Sequence, residues 1–181
     1  MMLGIRFNTG VIIGKGGFVS LPFEKIKGRK NIIVGANTTI GKYAWIEAIN
    51  NYQDFLYQPK ITIDENVTIG KYLCLTSINS IKIGRGCLLS EYVYISDHFH
   101  DFVPGKILLT EQALKSKGPV SIGENCFIGY RATILGGVSL GKNCVVGSHA
   151  VVTKSFPAYS MIGGVPAKLL KTYDFETKEW R

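Results

Sequence analysis

The chain has 181 residues, of which 46% are hydrophobic and 19% are charged, and its formal net charge at pH 7 is +8. This length and composition predict one globular domain without a disordered block. No apolar run approaches about eighteen residues, and the N-terminus lacks an apolar h-region, so we expect neither a membrane span nor a signal peptide. Lys and Arg are spread along the chain, which argues against a nucleic-acid partner and fits a polyanionic small molecule equally well.

Short apolar strands are predicted in chain order by aliphatic residues six positions apart. The first set is Val34, Ile40 and Ile46, the second is Ile63, Ile69 and Leu75, and the third is Ile83, Leu89 and Ile95. The last set has six members in register, namely Ile122, Ile128, Ile134, Leu140, Val146 and Val152. Two residues are inserted before the third set, and residues 47–60 and 97–119 are longer interruptions. A smaller residue precedes each aliphatic one by two positions in the last set.

A period of six does not match the 3.6-residue period of an α-helix. Apolar residues two apart point to one side of a short strand, and the residues that follow turn the chain. Three such units make one 18-residue coil, and coils stack about 4.8 Å apart, so that Ile122 should lie against Leu140. The sequence therefore predicts an all-β fold, a parallel β-helix of hexapeptide repeats. The pattern leaves the hand of the coil open, and the crossover rule alone would favour a right-handed one.

Four cysteines, Cys74, Cys87, Cys126 and Cys144, show no CxxC spacing. Three of them occupy the small-residue positions of the repeat. This pattern is typical of reduced thiols that fill a core, and it predicts a cytoplasmic protein. After the repeat, Pro157, Gly163, Gly164 and Pro166 end the pattern. We divide the chain into a β-helix domain, 1–165, and a C-terminal segment, 166–181, predicted as a short α-helix that caps the open end.

The repeat followed by "GGVPAKLLK" resembles the hexapeptide-repeat acetyltransferases, and the resemblance covers nearly the whole chain. "SDHFHDF" and "VVTKSFP" look most like the O-acetyltransferases of lipopolysaccharide O-antigen and capsule; galactoside and maltose acetyltransferases are more distant relatives. The resemblance implies a left-handed coil, a homotrimer, and acetyl transfer from acetyl-CoA to a hydroxyl of a saccharide or sugar-linked intermediate.

The family's catalytic histidine, just before an excursion from the coil, matches His98. A neutral imidazole can take a proton from a hydroxyl, and Asp97, Asp101 or a backbone carbonyl could fix its tautomer. His100, two residues on, is a second candidate for the base. Asn79 is the nearest match for an asparagine that the galactoside branch places beside its histidine.

The resemblance also implies contacts to acetyl-CoA. Ser148, Thr153 and Lys154 match residues that line the cofactor groove of the galactoside branch. Lys168 and Lys171 match basic residues that would meet the cofactor's phosphates. Tyr130 stands where that branch has a small serine, which puts that contact in question.

Two other functions fit the repeat. The first is a trimeric zinc carbonic anhydrase, for which His98, His100 and His149 are the only available histidine ligands. Neither "GGVPAKLLK" nor a basic groove is needed for that reaction. The second is a non-catalytic scaffold that binds an anionic polymer, which leaves the excursion at 97–119 unexplained. The acceptor itself has no readable signal in the sequence.

Overall fold

The computed structural model describes residues 11–105 and 107–181, which form a three-sided prism of stacked coils. The first ten residues of the predicted β-helix domain and residue 106 of the predicted second excursion lie outside the described residues. In the described part, each coil contributes one strand to each of three parallel sheets.

The strands follow the chain coil by coil. The first two coils hold β1 (Ile12–Ile13), β2 (Phe18–Val19), β3 (Lys25–Lys27), β4 (Ile32–Val34), β5 (Thr39–Ile40) and β6 (Trp45–Ala48). A hairpin of β7 (Asn51–Tyr52) and β8 (Phe55–Leu56) follows. The next two coils hold β9 (Lys60–Ile63), β10 (Thr68–Ile69), β11 (Cys74–Ser77), β12 (Ser80–Ile83), β13 (Leu88–Leu89) and β14 (Tyr94–Ser96).

A second antiparallel pair, β15 (His98–His100) and β16 (Leu114–Ser116), precedes the last coils. Those coils hold β17 (Val120–Ile122), β18 (Phe127–Ile128), β19 (Thr133–Ile134), β20 (Ser139–Leu140), β21 (Val145–Val146) and β22 (Val151–Val152). The chain ends with β23 (Ser160–Gly163), β24 (Lys168–Asp174) and β25 (Glu179–Trp180). Two 3₁₀ turns, Arg29–Asn31 and Leu109–Glu111, are the helical elements of the described residues.

The three sheets fix the names used below. Sheet 1 has the order β1-β4-β9-β12-β17-β20, sheet 2 runs from β2 through β5, β10, β13, β18, β21 and β23 to β24 and β25, and sheet 3 is β22-β19-β14-β11-β6-β3. We call the turns from sheet 1 to sheet 2 the first edge, from sheet 2 to sheet 3 the second edge, and from sheet 3 back to sheet 1 the third edge.

The core is the interior of the prism, where the aliphatic residues of the repeat stack from coil to coil. Ile122 pairs with Leu140, and Ile128 pairs with Val146, as the 18-residue spacing predicts. All of these side chains are buried. Three thiols, Cys87, Cys126 and Cys144, are buried in the same interior, and all four cysteines are free thiols. Both predictions from the repeat, parallel coils and core cysteines, are confirmed.

The predicted C-terminal α-helix is wrong, because residues 168–174 form β24, which pairs antiparallel with β23. The edge of sheet 2 would otherwise leave the backbone groups of β23 unpaired on one side, and a strand satisfies them where a helix cannot. Asp174 then accepts hydrogen bonds from the N–H groups of Glu176 and Thr177, which turns the chain back into β25. The segment packs on the prism as predicted, but as part of sheet 2.

Candidate active site

The third edge is where the regular repeat is broken twice. Residues 49–59, between β6 and β9, form the first excursion, and residues 97–119, between β14 and β17, form the second. Two coils separate the excursions, and the third-edge turn that joins these coils contains the two inserted residues of the sequence, Ile78 and Asn79. Both excursions lie on a single edge, and the first is slightly narrower than the predicted 47–60.

Asp97 is fully buried at the base of the second excursion and is surrounded by hydrogen-bond donors. Its Oδ2 accepts from Ser77 Oγ at 2.5 Å and from the N–H of Asn79 at 3.0 Å, and its Oδ1 accepts from the N–H of Ile78 at 2.9 Å. All three donors come from the preceding coil, because the pairing of β11 with β14 puts Thr76 opposite Ser96 and leaves Ser77 beside Asp97. The coil geometry thus builds a closed socket for one carboxylate.

Burial alone would raise the pKa of the Asp97 carboxyl, because a charge is poorly solvated there. The hydrogen bonds from His98, Ser77 and the N–H groups of Ile78 and Asn79 stabilise the ionised form and outweigh that effect, so the pKa lies below its ordinary value. Asp97 is therefore a carboxylate at neutral pH and can act only as an acceptor.

His98 follows directly, and its Nδ1 lies 3.2 Å from Asp97 Oδ1. Its side chain is about nine-tenths buried, with 11% exposed. Because the carboxylate is an acceptor, this contact requires a proton on Nδ1, and in the neutral ring Nε2 then carries the free lone pair. This is the arrangement that a general base requires.

Ser96 adds a second contact to the same imidazole. Its Oγ donates to the His98 carbonyl at 2.9 Å and lies 3.3 Å from both the backbone N and the Nδ1 of His98. Sequence reasoning missed both Ser96 and Ser77. Ala48, Ser77 and Asp97 occupy the same buried position at the end of the sheet 3 strand in successive coils. The residues themselves are visible in the sequence, but only the strand register shows that Ser77 and Asp97 are neighbours.

Gly136 closes the socket from the following coil. A Cβ at this position would lie 2.7 Å from the carbonyl oxygen of Asp97, which is closer than real side chains come. Gly136 therefore lets the backbone of the next turn pass directly against Asp97.

The two excursions hold each other in place. Tyr57 Oη accepts from the N–H of Leu114 at 2.8 Å and lies 3.2 Å from its carbonyl, and Tyr52 Oη donates to the carbonyl of Thr110 at 2.9 Å. The ring of His100 meets the edge of Tyr52 at 5.3 Å and is exposed. The second candidate base is thus held by the first excursion rather than by the Asp97 socket.

The structure also separates the two aspartates that could orient the base. Asp101 forms an ion pair with Lys115 Nζ at 2.7 Å across the second excursion. That hydrogen bond, more than the opposing effect of burial, lowers the pKa of the Asp101 carboxyl. Asn79 contributes its backbone N–H to the socket, while the residue itself is exposed. A role for its side chain remains a prediction.

The residues predicted to bind acetyl-CoA lie around the last coils but on two edges. Tyr130 and Ser148 are on the second edge, and Thr153 and Lys154 are on the third, so that sheet 3 lies between the two pairs. Lys154 Nζ sits over the Phe156 ring at 5.6 Å. Lys168 and Lys171 are exposed residues of β24, and Lys171 Nζ donates to the Trp180 carbonyl at 3.3 Å. Each of these contacts to the cofactor remains a prediction.

The three histidines do not converge within one chain. His149 lies on the second edge with its ring against Tyr130 at 5.6 Å, whereas His98 and His100 lie on the third. Among the residues that the structure describes, no group of three or more His, Cys, Asp or Glu side chains is arranged to hold a metal ion. The described residues also contain no helix long and apolar enough to cross a membrane.

Known proteins are similar both to the repeat itself and to longer stretches of this chain. A family model described as "Hexapeptide repeat of succinyl-transferase" matches residues 119–154. A putative lipopolysaccharide biosynthesis O-acetyl transferase, WbbJ of Escherichia coli, is 35% identical over 107 residues, which is 56% of this chain and 55% of WbbJ. The chain is therefore similar to acetyltransferases that carry the hexapeptide repeat. A probable acetyltransferase of Mycobacterium tuberculosis is 33% identical over 91 residues, 50% of this chain and 30% of that protein. The chain therefore spans about half or less of these curated relatives.

Solved structures of acyltransferases have the same fold. A mutant of AntD, an N-acyltransferase from Bacillus cereus, matches with a TM-score of 0.74 and 20% identity over 93% of this chain and 87% of AntD; its structure contains dTDP-4-amino-4,6-dideoxyglucose and coenzyme A. A maltose O-acetyltransferase from Clostridium difficile matches with a TM-score of 0.60 and 25% identity over 78% of this chain and 69% of that one. The fold is the left-handed parallel β-helix that the resemblance implied.

Proposed function

We propose that this hexapeptide-repeat protein is an acetyl-CoA-dependent O-acetyltransferase that acetylates a hydroxyl of a saccharide or sugar-linked intermediate in surface-polysaccharide biosynthesis. The observation that carries the proposal is the His98 imidazole, whose Nδ1 is hydrogen-bonded to the buried Asp97 carboxylate. It stands at the base of an excursion on the third edge, where the regular repeat is interrupted.

In the proposed reaction, Nε2 of His98 takes the proton of the acceptor hydroxyl as its oxygen attacks the thioester carbonyl carbon. Asp97 holds the Nδ1 proton and stabilises the imidazolium that forms. The tetrahedral intermediate then breaks its C–S bond. The imidazolium returns the proton to the departing sulfur, which leaves coenzyme A as a thiol and the acceptor as an acetyl ester. No covalent acyl-enzyme is needed, because the thioester reacts directly.

For acetyl-CoA, we propose contacts with Ser148, Thr153, Lys154, Lys168 and Lys171. Tyr130 lies on the same edge as Ser148. Lysine ammonium groups suit the cofactor's phosphates as point charges. Because Tyr130 and Ser148 lie on one edge of sheet 3 and Thr153 and Lys154 lie on the other, a ligand between two neighbouring prisms could reach both pairs. This arrangement supports a homotrimer as the working assembly.

The acceptor class rests on relatives. WbbJ carries a name that refers to lipopolysaccharide biosynthesis, and the AntD structure contains a sugar nucleotide. The excursions expose aromatic rings, among them Phe55 and Phe102, which suit stacking on sugar faces. The four free thiols support a cytoplasmic location, where acetyl-CoA is available.

The test measures thiol release from acetyl-CoA with a panel of saccharide acceptors, comparing wild type with His98→Ala. We expect acceptor-dependent release that falls by a factor of at least ~100 in the variant, since a general base contributes roughly 10²–10⁴-fold. His100→Ala is the matched control, because it removes an imidazole two residues away that Asp97 does not contact; we expect a change below about tenfold.

A loss confined to His100→Ala would move the base by two residues and leave the reaction class intact. Thiol release unaffected by either change would contradict the base. No release with any acceptor, together with no binding of acetyl-CoA, would contradict the acetyltransferase. Zinc content and CO₂ hydration would then be measured to separate the carbonic anhydrase from a scaffold.

A further inference from the structure

A second concave surface lies on the third edge, toward the N-terminal end of the prism. Two adjoining depressions of about 380 and 640 Å³ share Lys30, Asn31 and Asn50 in their walls. One is closed by the base of the first excursion, with Tyr57 and Gln58, and the other by the first turn of the third edge. We call the combined surface the basic cleft, because its walls also carry Lys27, Arg29 and Lys60.

The cleft presents four cationic side chains, and none of its lining residues is Asp or Glu. Lys27 Nζ is 3.7 Å from Glu47, and Arg29 uses only Nε, on the carbonyl of Ile26. Across residues 11–105 and 107–181, neither Lys30 nor Lys60 forms an ion pair. Most of this positive charge is thus not neutralised by the protein, and a concave wall concentrates its field.

A neighbouring depression on sheet 1 makes the charge distribution informative. Its volume is about 600 Å³, and its charged lining residues are Asp64, Glu65, Arg85 and Glu124. Its one cation is paired with Glu124 at 3.3 Å. The net charge of +8 is therefore not spread evenly over the surface, since the basic cleft and this depression lie on one side of the prism and carry charges of opposite sign.

The uncharged lining residues of the basic cleft suit the same kind of ligand. Asn31, Asn50 and Gln58 carry side-chain amides that can donate hydrogen bonds to anionic oxygens. A guanidinium with free N–H groups, two ammonium groups without ion pairs and several amides form a typical set of donors for phosphate.

The cleft lies along the same edge as His98. The turn at Arg29 and Lys30 and the turn at Asp97 are three coil steps apart, or about 14 Å at the ~4.8 Å spacing of parallel strands. The turn at Lys154, a predicted cofactor contact, lies two coil steps beyond His98 on the other side, about 10 Å away. The base thus stands between a proposed donor site and a separate anion site.

We propose that the basic cleft binds the diphosphate of a diphosphate-linked saccharide acceptor, while the sugar extends along the third edge to His98. The proposal rests on the proposed function and makes its acceptor more specific. One or two sugar rings with their diphosphate cover a span of this length. The same chemistry occurs in a sugar nucleotide and in a lipid-linked sugar.

The first test is direct binding of inorganic pyrophosphate by calorimetry, with the full chain and saturating coenzyme A present to fill the donor site. We expect Lys30→Gln combined with Lys60→Gln to weaken pyrophosphate binding at least about tenfold. The matched control is Lys42→Gln combined with Lys71→Gln, which removes the same charge from the second edge and should change binding less than about twofold. Equal losses in the two double variants, or no binding by wild type, would overturn the proposal.

The second test is kinetic and identifies the ligand. We expect the cleft variant to raise KM for a diphosphate-linked acceptor about tenfold, without a change in KM for acetyl-CoA. A rise in KM for acetyl-CoA instead would assign the cleft to the cofactor and overturn the proposal. Displacement of pyrophosphate by a nucleoside diphosphate sugar or by a short isoprenyl diphosphate sugar distinguishes the two sources. Because the binding measurement needs no turnover, lysine-dependent binding without any acetyl transfer would contradict the proposed function and leave the diphosphate preference of the cleft standing.

Discussion

The second and third edges of the prism are built from the same repeat, yet only the third carries the candidate base. Every turn of the second edge from the second coil to the sixth has the same length and places one side chain at positive φ. These residues are Tyr43, Tyr72, Tyr92, Arg131 and His149. The first three rings stack on one another with centroids 4.9 and 4.5 Å apart.

A uniform edge can only repeat one environment at the spacing of the coils, which makes a flat stripe. The third edge changes length from turn to turn, with two inserted residues at Ile78 and Asn79 and two long excursions. Those changes bring a buried carboxylate, its imidazole partner and two packed loops together. The comparison teaches that the buried Asp97–His98 pair arises where the repeat is interrupted, while the uniform turns form a regular scaffold around it.

The substitution with the largest expected effect on the third edge is Asp97→Asn. The substitution keeps the size of the side chain but replaces a carboxylate, which only accepts, with an amide that also donates. We expect the imidazole to lose its fixed Nδ1–H tautomer and kcat to fall roughly 10²–10⁴-fold, with KM for acetyl-CoA little changed. Steady-state kinetics and the nitrogen chemical shifts of His98 measure the two effects separately.

Asp101→Asn is the matched control, since it breaks the ion pair with Lys115 on the same excursion. Its effect on kcat should stay below about tenfold, because an ion pair that is open to solvent on the lysine side contributes little. Equal losses in the two variants would mean that the excursion as a whole, rather than the Asp97 socket, sets the activity.

Gly136→Ala tests the socket from the opposite coil. The added Cβ would stand 2.7 Å from the carbonyl oxygen of Asp97, and that backbone cannot rotate away as a flexible side chain can. We expect a loss of about 1–3 kcal/mol in the free energy of unfolding and a fall in kcat as Asp97 shifts. Urea unfolding and kinetics at saturating substrate measure both.

Gly105→Ala provides the control at the tip of the second excursion, where a Cβ would meet nothing within 4 Å. It should leave stability unchanged within about 0.5 kcal/mol. A Gly136 variant as stable and active as the Gly105 variant would contradict the close packing of the last coils against Asp97.

The coils could be predicted because their information is local. Six residues set each strand and turn, so the spacing from Ile122 to Val152 was enough to place every pair, including Ile122 against Leu140. The first coil was missed, although Ile13 and Val19 are six apart. The next core residue, Ile26, is seven on, and Pro22 interrupts the turn between them.

The C-terminal helix was predicted from helix-forming residues, but the open edge of sheet 2 decided the structure. Thr172 and Tyr173 favour a strand, and Asp174 favours a turn. A pairing partner for β23 outweighed the intrinsic preference of the lysines and leucines. Intrinsic helix propensity is a weak guide to secondary structure wherever the segment can pair with an open strand edge.

The site divides in the same way. His98 and Asp97 could be found because they are adjacent in a motif that resembles a known family. Ser77, twenty residues earlier, and the contacts of Tyr57 with Leu114, fifty-seven residues later, depend on coil register and loop packing. No local pattern encodes such contacts, so the socket and the pairing of the two excursions required coordinates.

The smallest effect is expected on the second edge, from Tyr43→Asn. Tyr43 has φ 61°, and its ring stacks on the ring of Tyr72. Asparagine tolerates this left-handed conformation better than tyrosine, by up to about 1 kcal/mol, whereas the lost stacking contributes about 0.5–1.5 kcal/mol. The two changes nearly offset, so we expect the free energy of unfolding to move by less than about 1 kcal/mol and kcat to stay within about twofold.

Asn66→Ala on the first edge is the matched control for Tyr43→Asn. Asn66 also has positive φ, at 58°, and alanine neither tolerates that conformation nor replaces the contact of its Oδ1 with Asn37. We expect the free energy of unfolding of this variant, measured in urea, to be about 1 kcal/mol lower than that of wild type, with kcat again unchanged. A larger loss from Tyr43→Asn than from Asn66→Ala would mean that stacking dominates the second edge. A fall in kcat from either variant would mean that turns far from both His98 and the proposed cofactor contacts control the reaction, which the difference between the edges does not predict.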